Sequence, residues 1–155
     1  MPRNANRIGL ISDTHGLLRP EAIEALRGSE LILHAGDVGK PEILEELRKL
    51  APVVAIRGNV DTAPWCSVLK VTELVEMVGA TFFLIHNVND LDLKPSAAGI
   101  DIVLFGHTHQ PTQCEKDGVL YINPGSAGPR RFSLPISLAR LDLRAKPLST
   151  EFITL

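Results

Sequence analysis

Two histidines follow an apolar run in the second half of the chain. The run 101–105 is followed by Gly106 and then by His107 and His109, with one residue between the two histidines. Imidazole is a common metal ligand, and residues two apart on an extended backbone point to the same side. The spacing alone leaves two interpretations open, a metal site and a pair of solvent-facing loop histidines, and the rest of the chain must decide between them.

Four other short apolar runs also end beside side chains that bind metals. These runs are 8–11, 31–33, 53–56 and 81–85, and the ligand-type residues that follow them are, in chain order, Asp13 and His15, Asp37, Asn59, and His86. The length and β-branched content of the runs predict buried strands. Because ligand sites of open α/β sheets lie beyond the carboxyl ends of the strands, we expect all seven residues at one edge.

The seven side chains combine imidazole nitrogens with carboxylate and amide oxygens. Such a set suits Mn, Fe, Co, Ni or Zn and is too rich in nitrogen for Mg or Ca. Seven ligands exceed the needs of one tetrahedral ion, whereas two ions that share a carboxylate would use them all. Two such ions can hold a bridging hydroxide and bind a phosphoryl group, which predicts hydrolysis of a phosphate ester.

Glycines precede three of the proposed ligands directly. Gly36, Gly58 and Gly106 stand immediately before Asp37, Asn59 and His107. A tight turn or a close backbone approach at these points requires a residue without a Cβ atom. The glycines therefore support the same interpretation.

The order of elements predicts two sheets. Helical patterns that begin at Pro20 and Pro41 separate the first three runs, so the order β-α-β-α-β predicts parallel strands with right-handed crossovers. After Asp61 the pattern favours a second, antiparallel or mixed sheet. Its expected parts are an extended stretch 67–78, a hairpin at Asp117-Gly118 and tail strands 136–143 and 151–155.

Composition limits the class of protein. The 155 residues are 45% hydrophobic and 22% charged, which is typical of one globular domain and excludes a disordered chain. A net charge of −2 provides no basic surface for extended nucleic acid, and no apolar stretch is long enough for a membrane span. We expect a cytoplasmic protein, and the sequence leaves its oligomeric state open, a homo-oligomer included.

The ordered motifs resemble those of the calcineurin-like metallophosphoesterases. The resemblance spans residues 7–131 and is carried by Asp13-x-His15, Gly36-Asp37, Gly58-Asn59, His86 and Gly106-His-Thr-His109. Within that superfamily, ISDTHG at 11–16, GNVD at 58–61 and YINPGS at 121–126 are most similar to the small YfcE-type phosphodiesterases and the related retromer scaffold subunit.

The resemblance implies an α/β fold, a four-layer α-β-β-α sandwich of two mixed sheets, in a single domain 1–155 without a cap domain. It also implies two divalent metal ions, with Mn2+ expected first and Fe, Co, Ni or Zn as alternatives. One ion would be bound by Asp13, His15, Asp37 and His109. The other would be bound by Asp37, Asn59, His86 and His107, with Asp37 bridging.

The chain departs from the superfamily pattern at two positions. Val60 stands where many members carry a histidine that acts on the leaving group, and Asn87-Val88 follows His86 where relatives often have Gly-His. Protonation of the leaving group therefore has no assigned residue. Asp61 would serve if its pKa were raised, and the alternative is a structural role, capping a turn or pairing with Arg57.

Three further residues have open roles. Arg130 and its neighbour Arg131 follow the segment 123–126, and a guanidinium suits phosphate oxygens, so at least one of them is a candidate for contact with substrate, while the alternative is a solvated pair. His34 ends a strand beside the site but matches no ligand position of the superfamily. We expect it to be buried or to support the ligands, and direct coordination is the alternative.

The leading hypothesis is a two-metal phosphodiesterase that acts on a small phosphodiester through a metal-bridging hydroxide, with weak phosphomonoesterase activity as a second reaction. The candidate catalytic residues are Asp37, Asn59, Asp61 and Arg130. The alternative is a scaffold or binding protein of the same fold with little or no catalysis. A nuclease is disfavoured by the charge balance.

Overall fold

Ten β-strands form two five-stranded mixed sheets in the computed structural model, which describes residues 3–155. The strands are β1 (Arg7–Ile11), β2 (Leu31–His34), β3 (Val53–Ala55), β4 (Thr72–Glu76), β5 (Thr81–Ile85), β6 (Ile102–Leu104), β7 (Thr112–Lys116), β8 (Val119–Asn123), β9 (Ser137–Asp142) and β10 (Thr150–Thr154). The helices are α1 (Pro20–Leu26) and α2 (Pro41–Arg48), with 3-10 helices at Pro64–Val68 and Val88–Asp90.

The first sheet has the order β10-β9-β1-β2-β3, and its β1-β2-β3 part is parallel. α1 and α2 connect these strands, and each begins with a proline at its first residues, where a missing N–H costs nothing. Ile43, Leu44 and Leu47 form the buried face of α2. The β-α-β-α-β prediction is therefore confirmed. The expected place of the tail strands in the second sheet is wrong, because β9 pairs antiparallel with β1 and β10 with β9, which adds both to the first sheet.

The second sheet has the order β4-β5-β6-β8-β7. β5, β6 and β8 are parallel, β4 pairs antiparallel with β5, and β7 and β8 form the predicted hairpin at Asp117-Gly118. The expected extended stretch 67–78 is wrong at its start, because Ser67 and Val68 belong to the 3-10 helix. Pro64 starts this helix, and burial of Cys66 holds it against the core.

Three apolar clusters define the layers. Leu10, Leu33, Phe82 and Leu84 lie in the cluster between the two sheets. A second cluster joins α1 and α2 to the outer face of the first sheet. The outer face of the second sheet is covered by the 3-10 helix Val88–Asp90 and the segment that follows it, through side chains that include Val88, Leu91 and Ile100. The predicted α-β-β-α sandwich is thus found, with little helix in its fourth layer.

No helix in the described part of the chain is long and apolar enough to cross a membrane.

Phe82→Ala tests the packing between the sheets. Phe82 is fully buried in the central cluster, so its truncation leaves a cavity and is expected to lower the free energy of unfolding by about 3–5 kcal/mol. Urea denaturation measures the loss. Val78→Ala is the control, because Val78 is exposed, and we expect it to change the stability by less than about 0.5 kcal/mol. Equal effects of the two substitutions would contradict this account of the core.

Candidate metal centre

The proposed ligands all follow strands, at the carboxyl ends that the sequence predicts. Asp13 and His15 follow β1, Asp37 follows β2, Asn59 follows β3, His86 follows β5, and His107 and His109 follow β6. The first three strands belong to one sheet and the last two to the other. The site therefore lies where the edges of the two sheets meet.

The ligand loops carry an unusual backbone. Five of the proposed ligands have positive φ although none is a glycine: Asp13 (55°), His15 (46°), Asp37 (57°), His107 (72°) and His109 (63°). This conformation costs on the order of 1–3 kcal/mol per residue and persists only where the surrounding structure enforces it. Its concentration at one site is independent support for a functional role.

The glycines allow the ligand loops to approach one another. A Cβ atom on Gly58 would collide with Oδ1 of Asp37, and one on Gly106 would lie 2.6 Å from Oδ2 of Asp13. Gly36 is similarly close to the His86 ring. The sequence-based interpretation of these three glycines agrees with this geometry.

Asp13 is buried, and its two carboxylate oxygens have different surroundings. Oδ2 accepts hydrogen bonds from the Ser12 hydroxyl (2.7 Å) and the His107 amide (3.1 Å). Oδ1 has no hydrogen-bond partner, and it lies 3.4 Å from Nε2 of His109 and 3.7 Å from Nε2 of both His15 and His86. Burial raises the pKa of this carboxyl, but His109 and His15 outweigh it and hold the pKa far below its ordinary range.

Asp37 repeats this arrangement. Its Oδ1 accepts a hydrogen bond from the Val60 amide (3.0 Å), while Oδ2 lies 3.1 Å from Nε2 of His86 and 3.6 Å from Nε2 of His15. Burial raises the pKa of the Asp37 carboxyl, and the His86 imidazole and the Val60 amide more than offset this, so the net pKa is lowered. Each aspartate therefore directs one oxygen toward the histidines.

His86 is oriented by a backbone carbonyl. Its Nδ1 lies 2.7 Å from the carbonyl oxygen of Ala35, so Nδ1 donates, and Nε2 faces the carboxylates without the alignment of a hydrogen bond. Burial lowers the pKa of this imidazole, but Asp37 and Asp13 raise it more. A histidine that donates from one nitrogen and presents the other to a cation is the usual arrangement of a metal ligand.

The ligand atoms form two overlapping groups. Asp13, His15 and His109 form one, and Asp13, Asp37 and His86 form the other, with ligand atoms in each within 4.8 Å of one another. Beside the second group, Nδ1 of His107 lies 3.2 Å from Oδ1 of Asn59, and the rings of His107 and His86 are 5.3 Å apart. The structure therefore brings all seven predicted ligands together. Buried carboxylate and imidazole atoms without partners fit divalent transition metals.

A family model agrees with this geometry. Residues 7–146 match the model of the calcineurin-like phosphoesterase superfamily domain. The chain belongs to this superfamily. A probable metallophosphoesterase of Methanothermobacter thermautotrophicus is 37% identical over 94% of this chain and 91% of its own. The phosphodiesterase YfcE of Escherichia coli is 28% identical over 84% of each chain.

Solved structures of the superfamily superpose on most of the chain. An archaeal phosphodiesterase, 27% identical, matches with a TM-score of 0.82 over 96% of this chain and 99% of its own. Vps29 of Chaetomium thermophilum matches with a TM-score of 0.77 over 96% of each chain at 15% identity, a likeness of fold alone. The resemblance to the superfamily is confirmed.

Asp61 accepts hydrogen bonds from backbone amides. The sequence leaves its role open between a proton donor and a structural residue. Its carboxylate is buried and accepts hydrogen bonds from the amides of Val38 (3.1 Å), Gly39 (3.1 Å) and Gly58 (2.9 Å). These contacts join the loop of Asp37 to the loop of Asn59. They support the structural interpretation of Asp61, although the partners are amides rather than Arg57.

Within residues 3–155, no hydrogen bond or ion pair joins Arg130 to the proposed ligands. Its side chain is exposed, and its guanidinium donates to the carbonyl oxygen of Leu134 (3.4 Å). The structure does not bring it into the cleft that borders His86 and His107. A contact with substrate stays a prediction from the sequence.

Two residues of the motif segment 123–126 support the ligand loops, although the sequence assigned neither of them an individual role. Asn123 donates to the carbonyl oxygen of Gly106 (3.1 Å) and to the Thr108 hydroxyl (3.0 Å), and the Ser126 hydroxyl donates to the carbonyl oxygen of Asp13 (3.0 Å). Asn123 is the last residue of β8 and Ser126 follows that strand, whose carboxyl end faces the same edge as β6. Their place in the YINPGS motif, at the end of a parallel strand, was the available signal.

His34 is fully buried and supports the site without facing it. Its Nδ1 accepts a hydrogen bond from the Gly36 amide (3.1 Å), so the proton of the neutral ring is on Nε2. This Nε2 lies 3.0 Å from the Thr14 hydroxyl, and the hydroxyl in turn donates to the carbonyl oxygen of Val38 (2.8 Å). Burial lowers the pKa of His34 to about 4, against the smaller opposing effect of Asp13 and Asp61. This matches the expectation of a buried, supporting histidine.

The neutral state of His34 predicts a pH-dependent stability. The pKa of His34 is near 6.5 in the unfolded chain and about 4 in the folded chain. At pH values between these two, the unfolded chain binds a proton at His34 and the folded chain does not. Stability should therefore fall by on the order of 3 kcal/mol as the pH drops through this range. Urea denaturation of metal-free protein in EDTA measures it. His34→Gln should be less stable but show a shallower pH dependence, and an unchanged dependence would refute this assignment.

Proposed function

We propose that this chain is a metal-dependent phosphodiesterase with a dinuclear centre, acting as a single domain on a small phosphodiester. The observation that carries the proposal is Oδ1 of Asp13, a buried carboxylate oxygen without a hydrogen-bond partner that faces Nε2 of His15, His86 and His109. Oδ2 of Asp37 lies beside it, 3.1 Å from Nε2 of His86. Membership of the superfamily and the phosphodiesterase names of its relatives support the reaction class.

The ligands divide between two divalent ions as the resemblance implies. One ion is assigned Asp13, His15, Asp37 and His109, and the other Asp37, Asn59, His86 and His107. A bridging Asp37 is supported by its Oδ2, which lies close to Nε2 of both His15 and His86. Oδ1 of Asp13 also faces both groups, so it competes for the bridging place. Mn2+ is the first candidate, and Fe, Co, Ni and Zn suit the same ligands.

The bound ions would supply a hydroxide nucleophile at neutral pH and positive charge for the phosphoryl oxygens. The residues of the chain hold this centre in place. Val60 occupies the position of the superfamily's leaving-group histidine, and its amide donates to Asp37. Since no imidazole is available there to protonate a leaving alkoxide, esters of acidic alcohols are favoured, and phosphomonoesters are expected to react weakly.

Asp37→Asn tests the metal-dependent reaction. Purified protein with Mn2+ is assayed on bis(p-nitrophenyl) phosphate and p-nitrophenyl phosphate, with the diester expected to react faster. Loss of the charge of Asp37 weakens both ion sites, so kcat/KM should fall at least about a hundredfold, and metal analysis should show fewer than two ions per chain. Glu115→Gln on exposed β7 is the matched acidic control.

Absence of turnover by the wild-type protein with each of these metals would contradict the proposal. Phosphodiester turnover with one bound ion per chain would retain the reaction class and remove the dinuclear centre.

Asp61→Asn separates a structural role from an acid role. The NH2 group of the introduced asparagine would face backbone N–H groups, and because both are donors, hydrogen bonds to the loops of Asp37 and Asn59 would be lost. Metal affinity should therefore fall about 10–100-fold, and the free energy of unfolding should fall by about 1–3 kcal/mol. Calorimetric metal titration and urea denaturation measure these losses. At saturating metal, the shape of the kcat–pH profile should be unchanged. Loss of one limb of that profile with unchanged metal affinity would instead make Asp61 the proton donor.

The scaffold alternative has support from the Vps29 fold alone. A scaffold needs no complete ligand set, whereas here all seven positions carry competent ligands and converge. The enzyme is therefore the better supported of the two functions.

A further inference from the structure

A cleft of about 890 Å³ opens from one side of the candidate metal centre. Its inner end is lined by Asn59, His86 and His107. Asp13 and His15 are not among its lining residues. A phosphodiester bound at the metal centre would therefore have open space for an organic group on the side of His86 and His107.

The cleft continues onto an apolar surface. Val71, Phe83 and Leu93 line it beyond the histidines. Val71 is 58% exposed and Leu93 37% exposed, and Phe83 is partly exposed. Apolar side chains left open beside a set of ligands are typical of a subsite for an organic group, because burying that group against them releases water.

The surface is open because of how the fourth layer is built. The covering segment packs through residues such as Leu91 and Ile100 on a cluster around Val103 and Val119. Phe83 contacts the same cluster with part of its ring and stays partly exposed. β4 is an edge strand, and its Leu74, directly opposite Phe83, remains 48% exposed. An apolar surface beside β4 and β5 thus stays partly open next to the metal centre.

The charges of the cleft are unequally placed. Arg57, adjacent in the chain to Gly58, lines the cleft, and it forms none of the ion pairs found among the described residues, whereas Arg140 and Arg144, for example, each pair with a carboxylate. Asp90 and Asp92 are exposed on the wall that also carries Leu93. The cleft therefore suits one phosphoryl charge near Arg57 and disfavours a second negative charge near Leu93.

We propose that the strip of Val71, Phe83 and Leu93 is the subsite for a ring-bearing, uncharged or cationic organic group of the phosphodiester. This inference rests on the proposed function, since it places the phosphorus at the metal centre. It excludes substrates whose organic group carries a further phosphate or carboxylate.

Phosphonate binding tests the subsite without turnover. Isothermal titration of Mn2+-loaded protein with phenylphosphonate and methylphosphonate should show the phenyl compound binding about tenfold tighter, because its ring is buried on the strip. The double variant Val71→Ser/Leu93→Ser should lose this preference and keep its affinity for methylphosphonate. Val68→Ser/Val78→Ser is the matched control, since both valines are exposed and lie outside the cleft lining.

A charged ring tests the acidic wall. Wild-type protein should bind 4-carboxyphenylphosphonate about fivefold more weakly than phenylphosphonate, and Asp90→Asn/Asp92→Asn should narrow this difference. Equal affinity for the phenyl and methyl compounds, or a preference that survives Val71→Ser/Leu93→Ser, would overturn the subsite.

The two proposals fail separately. A ring preference without hydrolysis of any diester would contradict the proposed function alone, and hydrolysis without a ring preference would contradict the subsite alone. Failure of the metal-loaded protein to bind either phosphonate would count against both.

Discussion

The site depends on two buried carboxylates that each turn one oxygen toward imidazoles instead of toward backbone amides. In Asp13 and Asp37 the outer oxygen is bound by amides or a hydroxyl, which fixes the plane of the carboxylate, and the inner oxygen faces imidazoles. Burial of a charge is costly unless opposite charge compensates it. The imidazoles at these distances compensate part of the negative charge of the carboxylates, and a divalent cation would compensate it more strongly. The arrangement therefore favours a site with a bound metal ion over an empty one.

Holding those oxygens in place requires backbone conformations that the chain would otherwise avoid. The left-handed residues at the ligand positions are stabilised by neighbours that do not coordinate: the Asp61 carboxylate, the His34–Thr14 pair and the Asn123 amide. Each binds backbone groups of a ligand loop. The stability of the protein and the geometry of the site are therefore coupled. Substitution of one of these supporting residues should affect both, although none of them is a proposed ligand.

The sequence predicted the ligands because their positions follow from local pattern. In this pattern an apolar run ends, a glycine allows a turn, and a ligand follows. The pattern occurs after β2 and again after β6, and it can be recognised without knowing the rest of the fold. The role of Asp61 was left open between two alternatives, because its partners Val38 and Gly39 are distant in the chain and come from another loop. The 3-10 helix at Pro64–Val68 was missed for a related reason, since its burial depends on the core beneath it.

If the proposed subsite is used, the thin fourth layer links the architecture to the choice of substrate. A long helix over the second sheet would bury Leu74 and Phe83, whereas the 3-10 helix and the loop contact Phe83 without burying it and leave Leu74 half-exposed. The same covering segment contributes Asp90, Asp92 and Leu93, so it sets both the polarity and the width of the opening. In a sandwich whose chemistry is fixed by loops at the sheet edges, the layer that does not bear ligands is free to vary. Changes there would alter which organic group is accepted without disturbing the centre that binds the phosphate.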